Sequence, residues 1–151
     1  MNQSSTTGNA AKSSAGEQQL NVVLISVHGL IRGQNLELGS DADTGGQTRY
    51  VVELARALGE LPDISRVDVL TRRVLDSAVS ADYARREEVL SDSVRIIRLD
   101  CGDDVYLPKE QLWDCLDVFT DNALHWVREH DLTPDIVHSH YADAGYVGIR
   151  L

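Results

Sequence analysis

The strongest constraint on this chain is an alternation of short apolar runs with longer stretches of helical periodicity. Residues 22–27 are apolar except for Ser26, the composition of a strand covered on both faces. A polar, glycine-containing stretch over 28–44 follows. Val51, Leu54, Ala55 and Leu58 then fall at i, i+3, i+4 and i+7, one buried stripe of a helix. Gly59 stands where a helix-ending glycine belongs. Residues 67–71 read as a second strand, and 94–99, alternating Arg with apolar residues, as a third. Between them, 80–90 predicts a short charged helix or turn. Pro108 suits the first position of a helix running to about residue 130. Its stripe is Leu112, Leu116, Phe119, Ala123 and Trp126 or Val127. Residues 136–138 make a fourth short strand after Pro134, and 145–151 read as the start of another helix, with no cap and no closing strand. Strands alternating with helices predict an α/β fold built on a doubly wound parallel sheet.

A length of 151 residues allows one domain with a sizeable core and hardly two. Residues 1–19 are rich in Ser, Thr, Gly, Ala, Asn and Gln and hold no apolar run, so burial cannot offset the entropy of ordering them. We therefore expect a disordered tail over 1–20, not a secretory signal, and a folded domain over 21–151. Lys and Arg total 14 against 24 Asp and Glu, a formal charge of −10. That balance argues against nucleic acid or an anionic membrane as partner, since both need a basic surface. No stretch approaches the roughly 20 apolar residues of a membrane span. The acids crowd into 100–143, where eleven of them meet only Lys109 and Arg128, the pattern of a solvated face. Cys101 and Cys115 lack metal-site spacing and a nearby partner pattern, which reads as reduced, structural thiols in a cytoplasmic protein.

In such a sheet ligands bind beyond the carboxyl ends of the strands, and three segments are expected there. The first is Asp43-Thr44-Gly45-Gly46-Gln47, where a loop becomes a helix. Paired glycines let a ligand approach the backbone, and free N–H groups at a helix start attract anions; a Gly pair can also serve only as a tight turn. Neither a Gly-x-Gly-x-x-Gly fingerprint nor a Walker lysine is present, which disfavours a Rossmann dehydrogenase or a P-loop enzyme. The second segment carries Lys109, the only base between Leu99 and His125. It is either an exposed helix-start lysine or a point charge for a phosphate. The third, His138-Ser139-His140-Tyr141-Ala142-Asp143, puts two histidines on one strand face. A metal site with Asp143 would need further ligands, and a strand-end histidine held by backbone hydrogen bonds is the commoner outcome. His28-Gly29, ending the first strand, lies on the same side of the sheet. The sequence has no Gly-x-Ser-x-Gly elbow, which argues against a serine hydrolase.

Taken together, these segments resemble the amino-terminal signature of the sucrose-phosphate synthases. Residues 26–33 (SVHGLIRG), Glu37-Leu38-Gly39, residues 41–47 and 51–58 (VVELARAL) carry the likeness. Thr71-Arg72-Arg73, Leu107-Pro108-Lys109-Glu110 with Leu112-Trp113, and residues 140–145 follow in that family's order. Sucrose synthases share the Asp-Thr-Gly-Gly-Gln run, but Leu30-Ile31-Arg32-Gly33 and Glu37-Leu38-Gly39 resemble the phosphate synthases instead.

The resemblance implies a retaining GT-B glycosyltransferase of two Rossmann-like domains, with no tightly bound cofactor and no essential metal. It would transfer glucose from UDP-glucose to fructose 6-phosphate, giving sucrose 6-phosphate and UDP. Residues 21–151 would be its acceptor-side amino-terminal domain, incomplete at the carboxyl end, with the carboxy-terminal domain as partner. The catalytic residues would lie beyond Leu151, leaving this fragment inactive alone. Gly45, Gly46 and Gln47 would line the acceptor site and approach the donor diphosphate, and Lys109 would contact fructose 6-phosphate. His28, Gly29, His140 and Asp143 would line the cleft without a metal. Two other readings stand beside this one: a sucrose synthase acting on free fructose, and a non-catalytic sugar-phosphate-binding module.

Overall fold

Along the first strand, β1 (Leu20–Ile25), Val22 and Leu24 point to one side and Val23 and Ile25 to the other, and all four are buried. Val22 and Leu24 cluster with Val51, Val52 and Ala55 of helix α1 (Gly46–Gly59). Val23 and Ile25 cluster with Leu116, Phe119 and Ala123 of α2 (Leu116–Glu129) and with Ala144 and Val147 of α3 (Tyr141–Gly148). A strand with helices on both faces has no polar side to present, which is why its sequence reads as an apolar run. Strands β2 (Ile64–Arg72), β4 (Val94–Leu99) and β5 (Ile136–Ser139) join it in parallel, in the order β4-β2-β1-β5. Strand β3 (Glu87–Val89) adds antiparallel to the outer edge of β4. The doubly wound α/β fold is thus present, with one antiparallel edge. This computed structural model describes residues 19–37, 39 and 43–151. Residues 1–18, which hold nearly all of the expected tail, lie outside the described residues, as do Leu38 and residues 40–42 of the loop motifs.

Several local expectations change. The first strand starts before residue 21: Leu20 pairs in β1, and the Gln19 side-chain amide donates to the Pro62 carbonyl at 2.9 Å. The charged stretch 80–90, read as a short helix or turn, takes the turn and adds a strand. It holds a 3-10 turn (Ala81–Ala84), whose Ser80 hydroxyl accepts from the Asp82 N–H, followed by β3. Glu87 and Glu88 conceal that strand in the sequence, because their partners Arg95 and Arg98 are supplied by β4. The single helix expected over 108–130 is a 3-10 helix (Lys109–Cys115) followed by α2. Leu112, Leu116, Phe119, Ala123 and Trp126 are buried as expected, so the stripe survives the change of helix type. Helix α3 starts at Tyr141, earlier than residue 145, and the Ile149 N–H closes it on the Gly145 and Val147 carbonyls.

Two glycine and cysteine readings also change. Gly59 is the last residue of α1, and Glu60 after it keeps a right-handed conformation, so no left-handed cap is formed. A Cβ on Gly59 would lie 2.2 Å from Val94 Cγ2; the glycine is there to let α1 approach β4. Cys101 and Cys115 are each other's partners: both are buried free thiols with sulfurs 2.7 Å apart. Burial, and then the hydrogen bond and charge of Cys115, push the Cys101 thiol up. Of the eleven acids over 100–143, nine are exposed, in keeping with a solvated face. The exceptions are Asp100, which binds Arg73 and Arg86, and Asp143, which belongs to the site below.

Under the loop that follows β1, Leu30, Val74 and Tyr83 form a small separate cluster. The Tyr83 hydroxyl is buried with no hydrogen-bond partner among the described residues, and burial pushes the phenol up to about 12. Removing an unpaired hydroxyl forfeits no hydrogen bond, so Tyr83→Phe should leave stability within about 1 kcal/mol or raise it. Urea unfolding checks this; a loss above about 2 kcal/mol would reveal a hydrogen bond to the hydroxyl.

Candidate functional site

The chain leaves β1 towards β2 on one side and later returns to β5 on the other, so β1 and β5 flank the point where the winding reverses. Ligand crevices open at the carboxyl ends of such strands. The sequence puts His28 just beyond the end of β1, and His140 and Tyr141 directly after β5. A cavity of about 200 Å³ opens there, lined by His28, Asp43, Gly45, Gly46, Gln47, Lys109 and Tyr141. An adjoining one shares Lys109 and Tyr141 and adds Glu110, Trp113, Ala142 and Asp143. A larger cavity of about 320 Å³ lies between β4 and α2 around Trp126, and none of the expected site residues reaches it. On its rim Arg86 is tied to Asp100, while Arg98 Nε is buried with no partner among the described residues.

Helix α1 begins at Gly46 with no side-chain cap and no acid in its first turn. A Cβ on Gly45 or Gly46 would meet nothing within 4 Å, so this pair fronts open space beside the positive end of the helix. Lys109, half-exposed, is not the isolated cation its sequence context suggests. Its ammonium lies 3.0 Å from Asp43 Oδ1, while its backbone N–H donates to Asp43 Oδ2 at 2.8 Å. The hydrogen bond and charge of Asp43 raise the Lys109 ammonium above its ordinary value, so it stays charged.

His28 is held on both sides. Nδ1 is 2.8 Å from Asp143 Oδ2, which also accepts the His28 backbone N–H at 3.2 Å, and Nε2 is 2.9 Å from Gln47 Oε1. Gln47 in turn donates to Ser26 Oγ at 3.1 Å. Burial pushes the His28 imidazole down, but Asp143, Gln47 and Asp43 outweigh it and leave the ring above the ordinary 6.5. The Tyr141 ring meets it edge-on at 4.9 Å.

Gly45, Gly46, Gln47, Lys109 and His28 therefore converge, with Asp143 behind them in the adjoining cavity. Gly29 and His140 line neither cavity. Gly29 has φ +80°, and a Cβ there would sit 2.7 Å from the Asp43 carbonyl, so it seats the Gly45 loop from beneath. The His140 backbone N–H bonds to the Ile25 carbonyl at 2.9 Å, and its buried ring stacks on His138 at 4.5 Å. Burial and then the charge of His138 push the His140 imidazole down. Asp143 is committed to His28, and among the described residues no three His, Cys, Asp or Glu side chains group to hold a metal. Sequence reasoning passed over Asp43 and Tyr141 as individual site residues. Tyr141 is exposed at a φ of +76°, a left-handed conformation that costs a non-glycine residue about 1–3 kcal/mol and that no sequence pattern signals.

No family model matches the chain. It is 44% identical to a probable sucrose-phosphate synthase 2 of Arabidopsis thaliana, over 85% of this chain and 15% of that one. It is 42% identical to a sucrose-phosphate synthase of Zea mays, over 89% of this chain and again 15% of the relative. A solved sucrose-phosphate synthase from Thermosynechococcus elongatus superposes with a TM-score of 0.70 at 28% identity, covering 87% of this chain and 30% of that one. The chain thus spans about 15% of the length of the curated relatives it matches. The mostly parallel sheet and these likenesses, which run over most of this chain, match it to the sucrose-phosphate synthases.

Proposed function

We propose that this segment forms the acceptor side of a GT-B glycosyltransferase that moves glucose from UDP-glucose to fructose 6-phosphate, giving sucrose 6-phosphate and UDP. One observation carries the reading: the Lys109 ammonium and the uncapped start of α1 at Gly45 and Gly46 line the same cavity. Each attracts phosphate, one as a point charge and the other as a row of backbone N–H groups. The likeness to sucrose-phosphate synthases supports the choice of sugar phosphate. In a retaining transfer the leaving diphosphate takes the proton of the acceptor hydroxyl, and fixed dipoles at the helix start stabilise its charge. That division of labour requires no metal and no tightly bound cofactor from these residues. The donor sugar and the catalytic groups belong to the remainder of the enzyme, the carboxy-terminal domain above all. Free, buried thiols suit a cytoplasmic setting. No described helix is long and apolar enough to cross a membrane.

Titrating the chain with fructose 6-phosphate and with fructose, followed by backbone amide shifts, tests the reading. Fructose 6-phosphate should bind and move the amides of Gly45, Gly46 and Lys109, and fructose should bind much more weakly. Equal affinity for the two would take the phosphate out of the site, and no binding of either would sink the proposal.

A further inference from the structure

His28 meets an acceptor at each ring nitrogen: the Asp143 carboxylate at Nδ1 and the Gln47 side-chain oxygen at Nε2. A neutral imidazole carries one N–H, so only the imidazolium can donate to both. Asp143 keeps Nδ1 protonated in either state. A neutral ring therefore needs a donor opposite Nε2, and Gln47 supplies one by turning its amide over. Ser26 permits the turn. Its hydroxyl accepts from the Gln47 nitrogen in the present arrangement and would donate to the Gln47 oxygen in the other.

We propose that Asp143 and His28 are positioning residues that set the orientation of the Gln47 amide, so that the cavity exchanges a hydrogen-bond donor for an acceptor when His28 loses its proton. The proposal rests on the reading of this cavity as the acceptor-sugar site, where Gln47 would meet a sugar hydroxyl. A hydroxyl held in one orientation by the first amide arrangement must rotate, or lose a bond, in the second.

The groups facing His28 set where the exchange falls. Helix α3 brings the Asp143 carboxylate and the Tyr141 phenol, the loop before α1 brings Asp43, and the 3-10 helix brings Lys109, which is paired with Asp43. Helix α1 offers the neutral Gln47, and the end of β1 offers the Ser26 hydroxyl. Two carboxylates against one ammonium favour the charged ring, so the exchange lies above the ordinary 6.5.

Nuclear magnetic resonance on the wild-type chain from about pH 5 to about pH 9 reads both partners without a substitution. The His28 ring and the Gln47 side-chain amide should titrate with one shared midpoint, above 6.5. Asp143→Asn should lower that midpoint by about 1–3 pH units, with the Gln47 signal following. Fructose 6-phosphate and fructose should both change affinity across the midpoint, because the amide faces the sugar. A Gln47 amide that stays flat while His28 titrates overturns the inference, whatever either sugar does. A Gln47 amide that follows His28 in a chain that binds neither sugar upholds the coupling and defeats only the acceptor-site reading.

Discussion

Replacing Arg98 by Ala is expected to cost about 3–5 kcal/mol of folding stability, the largest loss we anticipate from a single substitution in this chain. The Arg98 side chain is wholly buried within β4. Its guanidinium donates to the Glu88 carboxylate of β3 and, at 2.8 Å, to the Ile31 carbonyl in the loop that follows β1. Glu88 completes the tie by accepting the Gly33 N–H at 2.8 Å. One side chain therefore fastens the antiparallel edge strand and the approach to the site onto the central sheet. Alanine would leave a largely buried carboxylate without its cation, an unmatched carbonyl, and the volume of the side chain empty. Arg98→Met, which keeps most of the volume, should lose less than the alanine variant. Urea unfolding of both variants measures the difference. A loss under about 1 kcal/mol for Arg98→Ala would mean that water takes over the guanidinium's role.

Arg98 also marks where the sequence stops being readable. Alternation along 94–99 puts its Arg residues on a strand, but a lone arginine there looks like a solvent-facing residue until its partner is known. That partner, Glu88, lies in a stretch whose charge hides β3. Strand β1 was legible because burial on both faces leaves only apolar residues as solutions, whereas β5, an exposed edge strand, showed only as a short apolar run after Pro134. The start of α1 was legible because Gly45 and Gly46 mark a backbone that must stay open. The break between the 3-10 helix and α2 was not, since Leu112 and Leu116 are both buried and are spaced as an unbroken α-helical stripe would space them. At the site, single residues carried signals while pairs did not. His28 and Asp143 lie 115 positions apart, and only the crossing of the chain from β4 to β5 makes them neighbours. Lys109 was visible as a cation among acids, yet its partner Asp43 comes from the loop before α1, 66 positions earlier in the chain.

That pairing gives Lys109→Ala its expected size. The substitution should weaken binding of fructose 6-phosphate by about ten- to a hundredfold, the range of a lost hydrogen bond between charged groups. It removes the ammonium and, at the same time, leaves the Asp43 carboxylate lining the cavity without the charge that faces it. A phosphate then meets an anion where it would have met a cation. The backbone N–H of residue 109 still donates to Asp43, so the loop should keep its place and the fold its stability. Fructose, which carries no charge, should bind wild type and variant alike, and the gap between the two ligands should close. Lys109→Arg should retain most of the gap, since it keeps the charge opposite Asp43. Ionic strength gives a second signature: rising salt should erode the wild-type preference for the phosphorylated sugar and should not weaken binding to the alanine variant, where the charge left to screen is the repulsion from Asp43. If Lys109→Ala bound fructose 6-phosphate as tightly as wild type, the phosphate would have to sit elsewhere, and the uncapped end of α1 would be the remaining group in this cavity able to hold it.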